Sequence, residues 1–260
     1  MSDELRDDEG TGIDPADKPS LGRRVRGAVT ELVVVVVGAL IISALLRAFV
    51  GQMFIIPSGS MQHTLEINDR VVVSKVTDYK RGDIVVFSDN DGWILDRPKE
   101  RSTLGKIGET IGVLPSTSTN HLVKRLIGLP GDHVQFSAKT GRLMVNGTAL
   151  DESAYLNSVS GAPSDFEFDV VVPADRVFVM GDHRDESGDS RCHLRDVPTD
   201  GQVTGMSAFV PTRAIVGPAV AIAAPLDRLT TFHVPDTFAA VPAAKSIPAE
   251  PSISITNPTC

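Results

Sequence analysis

Residues 32–50 read LVVVVVGALIISALLRAFV, and residues 51–61 continue as GQMFIIPSGSM. As an α-helix rising about 1.5 Å per residue, the first stretch would be roughly 28 Å long, close to the thickness of a bilayer's hydrocarbon layer. Its one charged residue, Arg47, lies near the end, where the head group can reach the interface. The sequence therefore predicts a transmembrane helix over residues 28–50, closely followed by a Pro-Ser-Gly-Ser turn.

The charges on either side of this stretch predict its orientation. Arginines cluster in residues 23–26, whereas the next basic residue after Arg47 is Arg70. Positively charged flanks stay in the cytoplasm, so residues 1–27 are predicted to be cytoplasmic and the chain after the helix extracytoplasmic. This cytoplasmic head, residues 1–27, begins with an acidic stretch that contains Gly and Pro, and we expect it to be disordered. The chain is thus expected to be a single-pass protein of the plasma membrane.

Two other interpretations of the apolar stretch stay open. A cleaved signal peptide has an apolar region of about 7–15 residues and ends in small residues at alternate positions. Here the stretch is longer and runs into Gly51-Gln52-Met53-Phe54, which lacks that cleavage pattern. A helix buried in a core is the other alternative, and the lack of a polar stripe argues against it.

The bulk composition limits the class of protein. The chain has 260 residues, of which 42% are hydrophobic and 22% charged, enough for one medium-sized domain or a domain with a small lobe. A net charge of −8 argues against nucleic acid as a partner. The cysteines Cys192 and Cys260 do not make a disulfide framework, although a single bridge between them stays open.

Beyond Ser60 the hydrophobic pattern changes from helical periodicity to short runs of Val, Ile and Leu bounded by turn residues, which is typical of β-strands. The run over 213–224 is too short for a second span and contains Pro218, so it is predicted to form a pair of strands. Together these runs predict a mainly β domain outside the membrane. The other predicted strands occupy residues 70–76, 83–88, 121–129, 133–145 (two arms around Thr140-Gly141), 166–170 and 176–180.

We divide this outer part into a core, a lobe and a tail. Residues 51–131 and 178–235 are expected to form one core, interrupted by a smaller β lobe over residues 132–177. Residues 89–120 form an insertion within the core, interpreted as a surface hairpin or loop without assigned chemistry. The tail, residues 236–260, is rich in Pro, Ala and Ser and is predicted to be disordered.

The turn after the predicted helix is a candidate nucleophile site. Pro57 fixes φ and Gly59 tolerates unusual backbone angles, so a tight turn can expose the Ser60 hydroxyl. The same turn can aim the Ser60 backbone N–H and the Ser58 hydroxyl at one point, as an oxyanion hole requires. Taken alone, Ser-Gly-Ser is more often a simple turn.

Lys124 is a candidate general base. It lies in the strand-like run 122–127, and alternation puts it on the same face as Leu122 and Leu126. An apolar environment lowers the pKa of a lysine, so a neutral amine becomes available to accept a proton. The alternative is an exposed lysine on an edge strand, which the run by itself does not exclude.

The polar run GDHRDESGDSR, residues 181–191, allows three interpretations. The first is a solvated surface loop. The second is a metal site, either a calcium loop starting at Asp185 or a set formed by His183, Cys192 and His193. The calcium loop fits poorly, because its sixth place is not Gly and its twelfth is Asp196 rather than Glu. The third is a buried network of paired charges that fixes a site and lets Ser187 orient Lys124.

Four segments, in this order along the chain, resemble the sequence boxes of the bacterial type I signal peptidases, which remove signal peptides from translocated proteins. The resemblance extends over residues 28–229, and four motifs in order are far more specific than one. The segments are Pro57-Ser58-Gly59-Ser60-Met61 with Thr64-Leu65, Arg81-Gly82-Asp83-Ile84-Val85-Val86-Phe87, Val123-Lys124-Arg125 with Gly128-Leu129-Pro130-Gly131-Asp132, and Gly181-Asp182 through Asp189-Ser190-Arg191.

The resemblance implies a coiled antiparallel β-sheet with a smaller β lobe and an acyl transfer that needs no metal or organic cofactor. It implies that Ser60 is the nucleophile and Lys124 the general base, with Ser58 and the Ser60 N–H as the oxyanion hole. Ser187 would orient the base. The implied supporting side chains are Asp182, Arg184, Asp185, Asp189 and Arg191. The implied pocket residues are Phe54, Ile56, Pro57, Met61, Leu65, Leu122 and Val123.

The resemblance also implies the partners, which are membrane lipid and the signal peptides of secretory preproteins, cut after small residues at positions −3 and −1. The chain departs from the family at His183 and Glu186, where Asn is usual, and in a longer segment between Cys192 and Gly205. Two alternatives stay open: a self-cleaving repressor with the same kind of Ser/Lys chemistry, and a membrane-anchored binding module without activity. The apolar helix disfavours the repressor, and the intact Ser60 and Lys124 disfavour the inactive module.

Overall fold

A computed structural model describes residues 21–94, 120–197 and 201–256. The chain divides into two compact units, Met1–Ser43 and Ala44–Cys260. Three predicted features lie largely outside the described residues: most of the acidic head, most of the insertion 89–120, and the C-terminal Cys260.

A single long helix, α1 (Leu21–Phe49), dominates the first unit and begins earlier than the predicted residue 28. Its stretch Val25–Leu45 has a mean hydropathy of 2.5 and is 0% buried. A helix that belonged to a packed core would bury one face, so the core-helix interpretation is wrong. The length and exposed apolar surface of this N-terminal helix fit a transmembrane segment.

The second unit is mainly β, as predicted. Several of its strands alternate between buried and less buried residues, because successive side chains point to opposite faces of a sheet. Three others, over residues 84–88, 121–128 and 176–180, are buried along most of their length. Short 3₁₀ helices connect the later strands. Within the described ranges the strands are β1 (Gly51–Ile55), β2 (Arg70–Ser74), β3 (Ile84–Ser88), β4 (His121–Gly128), β5 (His133–Ser137), β6 (Arg142–Val145), β7 (Thr148–Ala149), β8 (Phe168–Val171), β9 (Arg176–Met180), β10 (Val210–Pro211), β11 (Ile215–Ala224), β12 (Thr230–Thr231) and β13 (Ser252–Ile255). The 3₁₀ helices are Arg184–Glu186, Ser190–His193, Met206–Ala208, Thr212–Ala214, Leu226–Arg228 and Asp236–Ala240.

The larger sheet is curled and antiparallel, in the order β1-β2-β11-β3-β4-β9-β10, with β12 pairing on β11. Strand β11 bridges β2 and β3, and its register shifts within each of the two pairings. It is one long bent strand rather than the predicted pair. Gly217 allows the bend, because its φ is 154° and a Cβ there would collide with the Ser74 carbonyl oxygen.

The smaller sheet is also antiparallel, in the order β13-β8-β5-β6-β7. The predicted turn at Thr140-Gly141 connects β5 to β6, and Asn146-Gly147 connects β6 to β7 with positive φ at both residues. Apolar side chains from this sheet share a core cluster with Phe178 and Met180 of the larger sheet. The lobe is therefore packed onto the larger sheet.

The C-terminal segment is the clearest departure from the sequence prediction. Residues 236–256, predicted to be disordered, form a 3₁₀ helix at Asp236–Ala240 and the edge strand β13. Phe238 and Val241 are buried in the core cluster of the lobe, and β13 pairs with β8 along four residues from Ser252 to Ile255. The prediction was wrong because a composition rich in Pro and Ala has little local preference, whereas a neighbouring strand supplies the missing hydrogen bonds.

Candidate active site

The serine turn follows β1 and is closed by its own backbone hydrogen bonds. The N–H of Gln62 donates to the Gly59 carbonyl at 2.9 Å, and the N–H of Leu65 donates to the Met61 carbonyl at 2.8 Å. Ser60 is 9% exposed, whereas Ser58 is exposed to solvent. The turn thus gives Ser60 a fixed backbone and a sheltered hydroxyl.

Lys124 lies in the middle of β4, opposite Val85 of β3. It is 2% exposed, and Val85 and Leu126 beside it are fully buried. Because β4 lies between β3 and β9, Lys124 is a buried residue of a central strand and not an exposed lysine on an edge strand. Lys124 Nζ lies 2.5 Å from Ser60 Oγ, although the two residues are 64 positions apart in sequence.

The burial of Lys124 decides its protonation. Burial lowers the pKa of Lys124 to about 8, because the ammonium form loses its water shell. Asp189 and Asp182 oppose this change and Arg191 reinforces it. A substantial fraction of the amine is then neutral near pH 8, and a neutral amine can accept the Ser60 proton.

Asp182 joins the serine turn to the strand that carries Lys124. Its carboxylate accepts from Thr64 Oγ1 at 2.5 Å and from Arg125 Nε and Nη2 at 2.7 and 2.6 Å. Arg125 also donates to the Gly82 carbonyl at 2.7 Å. Both charged groups are buried, and the bidentate pairing compensates the loss of hydration.

Asp189 forms a second buried pair. It accepts from Arg191 Nε and from the Gly181 N–H, each at 2.9 Å. Burial raises the pKa of Asp189, but the Arg191 guanidinium outweighs burial and the pKa falls to about 2. The carboxylate is therefore charged at neutral pH and holds the segment that follows β9 against the site.

Arg184 forms a third buried pair, with Glu152 from the lobe. Nη2 of Arg184 lies 2.6 Å from Glu152 Oε1, and Nε donates to the Gly181 carbonyl at 2.8 Å. Burial lowers the pKa of Arg184, but the charge of Glu152 outweighs burial and raises it. The Gly181 carbonyl therefore accepts from the Arg184–Glu152 pair, and the Gly181 N–H donates to the Asp189–Arg191 pair.

Two of the predicted supporting residues differ from this pattern. Asp185 is exposed and accepts from the Val159 N–H at 2.6 Å, outside the buried network. Ser187 is 7% exposed, and its Oγ has no hydrogen-bond partner among the described residues. The predicted contact between Ser187 and Lys124 is therefore absent from this structure, although both side chains are buried.

The predicted pocket residues fall into two groups. Pro57 is exposed, and Leu122 is half-buried and packs beside Phe87 and Leu126. The others share one buried apolar cluster around the serine turn. These are Phe54, Ile56, Met61, Leu65 and Val123.

No three His, Cys, Asp or Glu side chains are grouped to hold a metal ion within residues 21–94, 120–197 and 201–256. Neither the run that starts at Asp185 nor the set His183, Cys192 and His193 forms such a group.

Cys192 is disulfide-bonded, and its Sγ lies 3.6 Å from the Ser187 carbonyl oxygen.

Sequence reasoning missed three residues of the buried network: Thr64, Arg125 and Glu152. Thr64 and Arg125 stood inside the recognised segments but had no partner assigned. Glu152 lies 32 positions from Arg184, in a segment without a recognisable motif. Only Arg125 had a local signal in the sequence: it directly follows Lys124 in a predicted strand, so its side chain must point to the opposite face of that strand.

The fold and the site define a class: a mainly β protein with an apolar N-terminal helix and a hydroxyl–amine pair suited to hydrolysis. Residues 29–224 match the family described as "Signal peptidase, peptidase S26". The chain belongs to this family and is a peptidase.

Similar curated proteins carry the name signal peptidase I. One from Leptolyngbya laminosa is 32% identical over 78% of this chain and 83% of the relative. One from Mycobacterium tuberculosis is 34% identical over 78% of this chain and 75% of the relative. A third, "Signal peptidase I P" from Bacillus subtilis subsp. natto, is 32% identical over 80% of this chain and 95% of the relative.

Proposed function

We propose that this chain removes N-terminal signal peptides from translocated secretory preproteins, with Ser60 as nucleophile and Lys124 as general base. The observation that carries the proposal is the 2.5 Å separation between Lys124 Nζ and Ser60 Oγ inside a buried site. The similarity to several signal peptidases I supports the choice of substrate.

The reaction runs through an ester of Ser60. Neutral Lys124 takes the proton of Ser60 Oγ as the oxygen bonds to the substrate carbonyl carbon. The tetrahedral oxyanion accepts hydrogen bonds from the Ser60 N–H and the Ser58 hydroxyl. As the C–N bond breaks, the Lys124 ammonium protonates the leaving amine. Water then attacks the ester and gives a proton to Lys124. The Lys124 ammonium returns that proton to Ser60 Oγ as the ester C–O bond breaks and the product acid leaves, which restores the hydroxyl and the neutral amine.

The buried ion pairs hold the two reacting groups together. Asp182 bonds Thr64, just after the serine turn, and Arg125, next to the base. Asp189, Arg191 and Arg184 fix the segment after β9, while Asp185 holds a surface loop. Ser187 Oγ is an unpaired buried hydroxyl in this segment, and we assign it the role of orienting the Lys124 amine during turnover.

The substrate is expected to bind extended, as an added strand, with small side chains at −3 and −1. The apolar cluster of Phe54, Ile56, Met61, Leu65 and Val123, with the exposed Pro57 next to Ile56 in sequence, would line shallow pockets that admit Ala. Leu122 packs in a different cluster, with Phe87 and Leu126. The apolar helix would keep the enzyme in the plasma membrane with the catalytic unit outside. Such a tether concentrates enzyme and membrane-bound signal peptides in the same layer.

Cleavage of a secretory precursor by the full-length protein in detergent tests the proposal. Ser60→Ala and Lys124→Ala should each lower kcat by roughly a thousandfold or more, because each removes a reacting group. Lys124→Arg should be equally inactive, since a guanidinium does not give up its proton. Lys139→Ala is the matched control, because Lys139 is exposed on the β5–β6 turn. Near-normal turnover of Lys124→Ala or Lys124→Arg would contradict the assignment of the base.

A further inference from the structure

His183 contacts both peptide units that flank Ser60. Its backbone N–H donates to the Ser60 carbonyl at 3.1 Å. Its ring Nδ1 lies 3.2 Å from the Gly59 carbonyl oxygen. One residue from the segment after β9 thus fixes the serine turn on either side of the nucleophile.

His183 is itself held in place. The neighbouring N–H of Arg184 donates to the Asn157 carbonyl, and the N–H of Asn157 donates to the Asp182 carbonyl, each at 2.8 Å. These bonds form a short parallel bridge between Asn157 and His183. The His183 side chain is 15% exposed. The ring is therefore positioned by backbone bonds on both sides and by partial burial.

The contact with Gly59 determines the ring tautomer and the direction of a peptide dipole. A carbonyl oxygen can only accept, so Nδ1 must carry the hydrogen. The peptide between Gly59 and Ser60 is trans, and its N–H points opposite to its C=O. A bond that holds the Gly59 carbonyl consequently sets the direction of the Ser60 N–H, and it also strengthens that N–H as a donor.

We infer that His183 is a positioning residue that aims the Ser60 N–H at the oxyanion of the tetrahedral intermediate. The inference rests on the proposed function, in which that N–H is an oxyanion donor. The Gln62 N–H occupies the other side of the Gly59 carbonyl at 2.9 Å, so loss of the ring leaves the peptide held from one side only. The oxyanion carries more negative charge than the substrate carbonyl and bonds this N–H more strongly, so we expect the effect mainly in kcat.

Three variants of the full-length protein test the role. His183→Asn keeps a donor at nearly the place of Nδ1, because the amide branches from the same carbon as the ring. His183→Gln moves the amide one bond further out, and His183→Leu removes the donor. We expect His183→Asn to stay within about threefold of wild-type kcat, and the other two to lose about 10- to 100-fold with KM within about twofold. Affinity for a peptide aldehyde, which forms a tetrahedral adduct on serine, should fall in parallel with kcat.

Glu186→Gln is the matched control. Its carboxylate lies 3.7 Å from His183 Nδ1 but is 67% exposed, so its loss should leave kcat unchanged. Wild-type kcat in His183→Leu, a loss confined to KM, or equal damage in His183→Asn and His183→Leu would overturn the inference. If His183→Leu fails to fold by circular dichroism, the Asn and Gln pair decides, and equal kcat values would overturn it. Failure of the proposed function would instead appear as a wild-type enzyme that does not cleave the precursor.

Discussion

Lys124 shows how a single buried residue controls the chemistry of the site. The residue is 2% exposed and lies opposite Val85 of β3, while its amine contacts the Ser60 hydroxyl. Burial disfavours the charged form, and the carboxylates of Asp189 and Asp182 restore part of the lost stabilisation. The pKa of this amine is therefore lower than that of a surface lysine, but higher than that of a lysine buried without neighbouring carboxylates.

The pH dependence of kcat/KM follows from this residue. Since the pKa of Lys124 is lowered to about 8, the amine is mostly protonated and inactive as a base below that pH and mostly neutral above it. We expect kcat/KM to fall about tenfold for each pH unit below about 7 and to level off above about 9. The measurement is a pH–rate profile with a fixed precursor peptide. A profile that is flat between pH 5 and pH 9 would remove Lys124 from the mechanism.

At the scale of elements, the C-terminal segment ties the lobe to the site. Phe238 is 5% exposed and stacks on Tyr155 with ring centroids 6.3 Å apart. The guanidinium of Arg125 lies 4.0 Å from the centre of the Tyr155 ring, and Arg125 pairs with Asp182. A segment with no motif in its sequence therefore supports the ion pair next to the base.

Phe238→Ala should destabilise the protein by about 3 kcal/mol or more, because it removes a buried ring and leaves a cavity beside Tyr155. Thermal unfolding of the full-length protein in detergent measures the effect. Ile247→Ala, in the same segment but 60% exposed, should change stability by less than about 0.5 kcal/mol. Equal unfolding temperatures for the two variants would show that the segment does not stabilise the fold.

Across the whole molecule, the two units expose different kinds of surface. The first carries an apolar helix with no buried residue along Val25–Leu45, a surface that suits lipid better than water. The second buries its apolar residues inside two sheets. This division fits a membrane protein.

Orientation in the membrane is testable on the intact protein. Because Arg23, Arg24 and Arg26 lie before the apolar stretch, we expect the N-terminus in the cytoplasm and the β unit outside. In right-side-out vesicles, added protease should remove a C-terminal tag and spare an N-terminal one, and the pattern should invert in inside-out vesicles. Protection of the C-terminal tag in right-side-out vesicles would reverse the assigned topology.

Local sequence patterns were enough to predict the apolar helix and most of the strands, and the family resemblance singled out Ser60 and Lys124 as candidate reacting groups. Helices and strands can be predicted from local hydrophobic periodicity. For example, the predicted strand 176–180 coincides with β9. The serine and the lysine were recognisable because each lies in a short segment with a family resemblance.

Which charges pair, and which backbone groups find hydrogen-bond partners, could be seen only once the chain was folded. Glu152 meets Arg184, and Arg125 meets Asp182, across 32 and 57 positions of sequence. Residues 252–255 became a strand because β8 offered an open edge, and the run 215–224 became one strand because β2 and β3 bind its two halves. The physical reason is common to all these cases: hydrophobic periodicity is local, whereas the partner of a charge or a backbone N–H is chosen by the fold.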